Sequence, residues 1–120
     1  MRILVVDKYV WSGQALARLL ALQGYYARCA AGAAEALRLC ESEKFDLLIT
    51  DLHLQDGSGS QLMRQLVERC AMVGISLTAE ATDEASQESH DAGFAAHFVK
   101  PLSFDGLCGT IRRVVPTPAS

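Results

Sequence analysis

Five short apolar runs punctuate the chain: ILVV at 3–6, YYARCA at 25–30, DLLIT at 46–50, VGISLT at 73–78 and AHFV at 96–99. Each has the length and composition of a strand. Four of the five are nearly unbroken, as expected of strands covered on both faces in a parallel sheet. Between them the apolar period lengthens. Leu16, Leu19 and Leu20 share a helical face, as do Ala33, Ala36, Leu37 and Cys40. Met63, Leu66, Val67 and Cys70 repeat the spacing, and Leu107, Ile111, Val114 and Val115 give a last stripe. Ser12, Ser58 and Ser103 each offer a hydroxyl as N-cap, and Gly24 and Gly93 suit helix exits.

One segment breaks the pattern. TDEASQESHDA at 82–92 sits where a fourth helix belongs, capped by Thr82 or Asp83, yet only Ala85 and Ala92 offer an apolar stripe. The pattern predicts a weakly docked, locally unstable helix there. Gly106 and Gly109 each cost the last helix about 1 kcal/mol of propensity relative to alanine.

Alternating strands and helices predict an α/β fold: a (βα)5 doubly wound, five-stranded parallel sheet between two helical layers, as a single domain. That domain spans 1–115, and PTPAS at 116–120 reads as a tail or the start of a linker. Such sheets hold ligands beyond the C-terminal ends of their strands, at the topological switch point.

Composition narrows the class. Half of the 120 residues are hydrophobic, yet no apolar run approaches the roughly 18 residues of a membrane span. MRILVVDK is interrupted by an acid too early for a secretory signal. A net charge of −3 argues against nucleic acid as a partner. Cys29, Cys40, Cys70 and Cys108 lie far apart with no C-x-x-C pair, so reduced core cysteines of a cytoplasmic protein are expected, with no zinc.

The chemistry lies at the strand ends. The first strand ends at Asp7, the third at Asp51, the fourth at Thr78 and the fifth at Lys100; the second supplies nothing, as suits an edge. A single acid after a strand is usually a helix cap. Four such residues on one rim support phosphoryl transfer to a carboxylate. Asp51 is then the nucleophile, and Thr78 and Lys100 bind phosphoryl oxygens. Asp7 helps hold Mg²⁺, which prefers oxygen ligands and keeps several waters.

The chain resembles the receiver domain of two-component response regulators, the CheY-like fold, over essentially residues 2–115. The matching pieces are ILVVD (3–7), FDLLITDLHLQDGSG (45–59), ISLTA (75–79) and AHFVKPLS (96–103). The resemblance implies that Asp51 accepts phosphate from a histidine kinase or histidine phosphotransfer domain. It implies that Thr78 and Lys100 sense it, and that Asp7, Asp51 and the His53 backbone carbonyl face the metal. Lys100–Pro101 would be a Lys-Pro step that is often cis, and small Ala79 leaves the acceptor accessible. Such a domain catalyses at most its own phosphorylation and dephosphorylation. The stretch VGISLTAEATDEASQESHDAGFAAHFVKPLS looks like receivers attached to hybrid sensor histidine kinases.

The departure is Lys8. Receivers normally carry a second acid there, which ligates Mg²⁺ directly; an ammonium cannot. A unit-charge pair at about 4 Å is worth roughly 4 kcal/mol at an effective dielectric of about 20, so exchanging acid for base weakens Mg²⁺ binding severely. Three readings follow. Lys8 swings into solvent; or it bonds Asp51 or Asp7 and stands where the cation would; or phosphorylation is lost and the domain is a pseudo-receiver, a protein-interaction module. The second geometry is favoured, with phosphorylation slow or inefficient.

Other positions modify this picture. His97 lies where the family has the aromatic that turns inward on activation, and it reads equally as a half-exposed strand histidine. His53 and Glu80, with Ala79 and Lys8, flank the pocket mouth. Gln55 replaces a common proline, predicting a looser loop over 52–59. His90 reads as helix surface, and Trp11 as packed, with exposure for partner docking the alternative. A haloacid-dehalogenase-type phosphatase would need an aspartate where His53 stands, and no phosphate loop follows the first strand for a flavodoxin-like cofactor.

Overall fold

The runs without polar interruption lie where both faces of a strand are covered. In the computed structural model, which describes residues 1–115, every residue of β1 (Arg2–Val6) after Arg2 is buried. So is every residue of β3 (Leu47–Asp51), and every residue after Val73 in β6 (Val73–Thr78). With β2 (Tyr26–Ala30) and β7 (Ala96–Val99) they form a parallel sheet of order β2-β1-β3-β6-β7. The α/β fold is therefore the expected five-stranded doubly wound sheet. The two strands with exposed residues, β2 and β7, are its edges. The tail expected at 116–120 lies outside the described residues.

Side-chain alternation sorts the core into two layers. Ile3, Val5, Leu47, Ile49, Ile75 and Leu77 pack against Leu20 of α1 (Val10–Leu22) and Leu107 and Ile111 of α5 (Phe104–Val114). On the other face Leu4, Val6 and Leu48 meet α2 (Ala33–Ser42), α3 (Gly59–Cys70) and α4 (Asp83–Asp91). The chain winds from β1 outward to β2, then back across to β3, so the direction reverses between β1 and β3. Asp7 and Asp51 flank that reversal.

Three helices start as expected. Ser58, Thr82 and Ser103 accept from the N–H groups of Gln61, Ala85 and Gly106, each at 3.0–3.1 Å. Gly24 and Gly93 take φ of 92° and 93°, the left-handed region that glycine enters without steric cost. The first helix differs: it begins at Val10 with Tyr9 at its N-cap, which puts Ser12 inside the first turn. Starting earlier leaves Trp11 75% exposed, not packed. The cysteines are all free, but only Cys108 is buried; Cys70 is exposed and Cys29 and Cys40 are half-buried, so the expected core role holds for one of four.

The 52–59 segment is tighter than its missing proline suggests. His53–Leu54 (β4) and Gly57–Ser58 (β5) pair as a small antiparallel hairpin. Its tip is pinned twice. The Asp56 carboxylate accepts from the N–H groups of Ala33 and Ala34 at 2.8 and 3.1 Å, capping α2 from outside its own chain segment. The Gln55 amide donates to the Lys8 carbonyl at 3.0 Å. Gly59 closes the turn by donating to the Leu52 carbonyl at 2.8 Å, and a Cβ there would overlap the Asp51 carbonyl oxygen.

That contact predicts opposite effects at two glycines. Gly59→Ala should lose about 1–3 kcal/mol of stability through overpacking against backbone. Gly109→Ala, in α5 with only the flexible end of Arg112 nearby, should gain about 0.5–1 kcal/mol. Urea denaturation checks both; equal effects would contradict the packing described.

Candidate functional site

The residues at the strand ends meet. Lys100 Nζ lies 2.8 Å from Asp51 Oδ1 and 3.2 Å from Asp7 Oδ2, so one ammonium bridges two buried carboxylates. The remaining oxygens are held by backbone. Asp7 Oδ1 accepts from the Tyr9 N–H at 2.9 Å, and Asp51 Oδ2 from the Lys8 N–H at 3.0 Å. Asp51 is 4% exposed and Asp7 2%. A pocket of about 110 Å³ opens above them, lined by Lys8, Tyr9, His53, Thr78, Ala79, Glu80 and Lys100 as well as Asp51.

The parallel sheet sets this geometry. Asp51 ends β3 and Thr78 ends β6 next to it, while Lys100 follows β7 and donates its N–H to the Thr78 carbonyl at 2.7 Å. Thr78 is buried, and its Oγ1 accepts from the Glu80 N–H at 3.1 Å. Among the described residues no acceptor takes its hydroxyl proton, which stays available to an incoming oxygen. The Lys100–Pro101 bond is cis. Ala79, Glu80 and His53 are exposed at the mouth.

Burial and charge split the two acids. Burial pushes the Asp51 carboxyl up, helped by the negative Asp7 and opposed by Lys100 and the Lys8 N–H, and the net direction is upward. Burial acts the same way on Asp7, but the Tyr9 N–H, the Asp51 carboxyl and Lys100 outweigh it and hold Asp7 below its ordinary value. Burial would lower Lys100, yet the two carboxylates raise it, so it stays an ammonium.

Lys8 corrects the favoured expectation. Its ammonium bonds neither carboxylate and forms no salt bridge among the described residues; Lys100 holds the position between the acids instead. The Lys8 Nζ lies 5.4 Å from the Tyr9 ring centroid at the pocket mouth, and the residue is half-buried. Its backbone explains this. With its N–H on Asp51 and its carbonyl on Gln55, the Lys8 backbone is fixed at the rim of the pocket, and its ammonium rests beside Tyr9 and not between the acids.

A second cluster was missed in the sequence. Ser76 Oγ lies 2.6 Å from Ser89 Oγ and 2.7 Å from His97 Nδ1, joining β6, α4 and β7 through two buried hydroxyls. Ser60 of α3 donates to Glu88 of α4 at 2.6 Å. So α4, whose apolar anchors are Ala85 and Ala92 as expected, is also held by hydrogen bonds that the sequence pattern did not show. The serines in VGISLT and DEASQESHD were the available signal. His97 turns inward, and burial lowers its pKa, so it is neutral near pH 7. His90 is exposed, as read.

Residues 3–112 match the family model described as the response regulator receiver domain. This chain is a receiver domain. It is 30% identical to the sensory/regulatory protein RpfC of Xanthomonas campestris, covering 100% of this chain and 18% of that protein. It is also 30% identical to the sensor histidine kinase RcsC of Salmonella typhi, covering 92% of this chain and 12% of RcsC. The chain therefore spans less than a fifth of either curated relative. A CheY-like receiver structure from Methanospirillum hungatei superposes with a TM-score of 0.86 at 33% identity, covering 93% of this chain and 90% of that one. Among the described residues of this receiver no helix is long and apolar enough to cross a membrane.

The split acids predict opposite responses to neutral isosteres. Asp51→Asn removes a carboxylate whose folded-state pKa is raised, a net cost when ionised, so it should raise the melting temperature at pH 7. Asp7→Asn removes one whose folded-state pKa is depressed. Its contribution is present above the unfolded value of 3.8 and lost as pH falls through the folded value, so the variant should be less stable at pH 7 and approach the wild type in acid. Thermal melts from pH 3 to 7 read both signs; destabilisation by Asp51→Asn would contradict the assignment.

Proposed function

We propose that this receiver takes a phosphoryl group on Asp51 from the phosphohistidine of a histidine kinase or histidine phosphotransfer domain. The observation that carries the reading is the single ammonium shared by two buried carboxylates beneath an open pocket. Asp51 Oδ2 accepts from the Lys8 N–H and the buried Oδ1 meets only Lys100, and one of these two is the attacking oxygen. It forms a bond to phosphorus as the P–N bond breaks and the imidazole nitrogen keeps the electron pair. Lys100 neutralises charge that grows on the phosphoryl oxygens, and the Thr78 hydroxyl donates to one of them.

The donor set fits a divalent ion thinly. Asp7 and Asp51 supply two carboxylates and His53 a main-chain carbonyl, Lys8 supplies nothing, and no group of three or more metal-binding side chains occurs among the described residues. Asp51 Oδ1 is buried and satisfied only by its ion pair with Lys100, so a cation would have to share the two carboxylates with that ammonium. Mg²⁺ bound there, weakly and largely through water, would neutralise phosphoryl charge.

Drawing Thr78 toward a phosphoryl oxygen moves the end of β6, which carries Ser76 and with it the hydrogen bonds to Ser89 of α4 and His97 of β7. The readout is thus a shift of α4 and β7, the surface offered to downstream partners. The relatives that the chain matches suggest a module of a hybrid sensor kinase acting in a phosphorelay in the cytoplasm.

Acetyl phosphate with Mg²⁺ should add one phosphoryl group to the wild type and none to Asp51→Asn, read by intact-protein mass spectrometry. Thr78→Ala should still accept the group but lose most of the change in amide exchange over α4. An adduct surviving in Asp51→Asn would move the acceptor elsewhere. No adduct in the wild type would leave the pseudo-receiver, an interaction module in one fixed state.

A further inference from the structure

We propose that Lys8 makes this receiver independent of a metal: its ammonium, together with Lys100, supplies the positive charge that a phosphoryl group on Asp51 requires. The inference rests on the reading of Asp51 as acceptor. It starts from charge at the pocket. Glu80 is exposed at the mouth and is the same before and after reaction. Apart from it, two carboxylates, Asp7 and Asp51, face two ammonium groups, Lys8 and Lys100, so the groups around the acceptor balance before reaction and draw in a dication less than an acid at position 8 would.

Phosphorylation converts the Asp51 carboxylate to a neutral acyl ester bearing a phosphoryl group of charge near −2. With Asp7, Lys8 and Lys100 the site then carries one net negative charge. An acid at position 8 would leave three, and a dication would be needed to return to one. Lysine at this position reaches the same electrostatic endpoint from within the chain.

The geometry permits the move. The Lys8 backbone is fixed on both sides, by Asp51 and by Gln55, so the root of the side chain stays at the rim whatever its end does. The ammonium has no carboxylate to hold it among the described residues. Its one specific neighbour is the Tyr9 ring at 5.4 Å, a contact worth about 0.5–1 kcal/mol at an exposed site and readily exchanged. Lys8 lines the same pocket as Thr78, Ala79 and Lys100, into which the phosphoryl oxygens project. Lys100 approaches from the Asp7 side, and Lys8 lies at the mouth beside Tyr9. Two cations from two elements thus serve different oxygens. In the step itself, a carboxylate oxygen of Asp51 bonds to phosphorus, the bond to the leaving oxygen of acetyl phosphate breaks, and acetate departs with the electron pair; no proton need move.

The test uses the full chain, acetyl phosphate as donor, and EDTA or Mg²⁺ in parallel, with the adduct followed by intact-protein mass spectrometry. The wild type should be phosphorylated in EDTA at a rate close to that in Mg²⁺. Lys8→Ala should lose at least about tenfold in EDTA, less than the roughly 10²–10³-fold cost of removing a preorganised donor because Lys8 is half-exposed. Lys8→Asp should react only with Mg²⁺. Calorimetric Mg²⁺ titration gives an independent readout: saturation in the millimolar range for Lys8→Asp, and none for the wild type. Circular dichroism melts establish that each variant is folded. An adduct on the wild type in Mg²⁺ but not in EDTA would overturn this proposal while leaving Asp51 as acceptor. An unchanged metal-free rate in Lys8→Ala would also overturn it. No adduct under either condition would overturn both readings.

Discussion

One ammonium placed between two buried carboxylates organises this receiver. Two ionised acids this close repel each other and lose hydration, and removing either penalty means neutralising or pairing them. Lys100 pairs both at once, at 2.8 and 3.2 Å, and backbone N–H groups hold the two outer oxygens. The compensation is unequal: Asp7 is stabilised as the anion, whereas Asp51 stays the more costly charge. An acid that is costly to keep ionised and open to a pocket is suited to being converted to an ester.

The sheet delivers the three groups from separate strand ends, and the same strands carry the consequences away from the pocket. Ser76 lies two residues before Thr78 in β6 and pairs in register with His97 of β7. Its hydroxyl reaches α4, so a change at the pocket has a short polar route to the surface helix. Because α4 has few apolar anchors, hydrogen bonds carry much of its docking. Such contacts re-form in a new geometry more readily than an interdigitated apolar core.

Much of this was legible in the chain. The strands were visible because buried strands of a parallel sheet are apolar on both faces, and ILVV, LLIT and VGISLT advertise that. The site residues were visible because a doubly wound sheet places its strand ends on one rim. What was hidden depended on contacts between residues far apart in sequence. Asp56 reads locally as part of a turn, and only the fold shows that it caps α2. Gln55 reads as a lost proline, yet its amide tightens the hairpin onto Lys8. Trp11 is exposed because α1 begins one turn earlier than Ser12 suggested, and hydrophobicity alone does not set helix phase.

Lys8 shows the limit most clearly. The sequence establishes a base where an acid would complete the metal site, but which carboxylate that base meets depends on backbone direction. With its N–H given to Asp51, its side chain leaves the acids to Lys100. The central claim, that Lys100 couples Asp7 and Asp51, is tested most directly by carbon-13 NMR titration of the two carboxyl groups in the wild type and in Lys100→Met. The account predicts coupled titrations, Asp7 below and Asp51 above the ordinary value of 3.8, with both moving upward when the lysine is replaced. Two independent titrations near 3.8, unchanged in Lys100→Met, would contradict it.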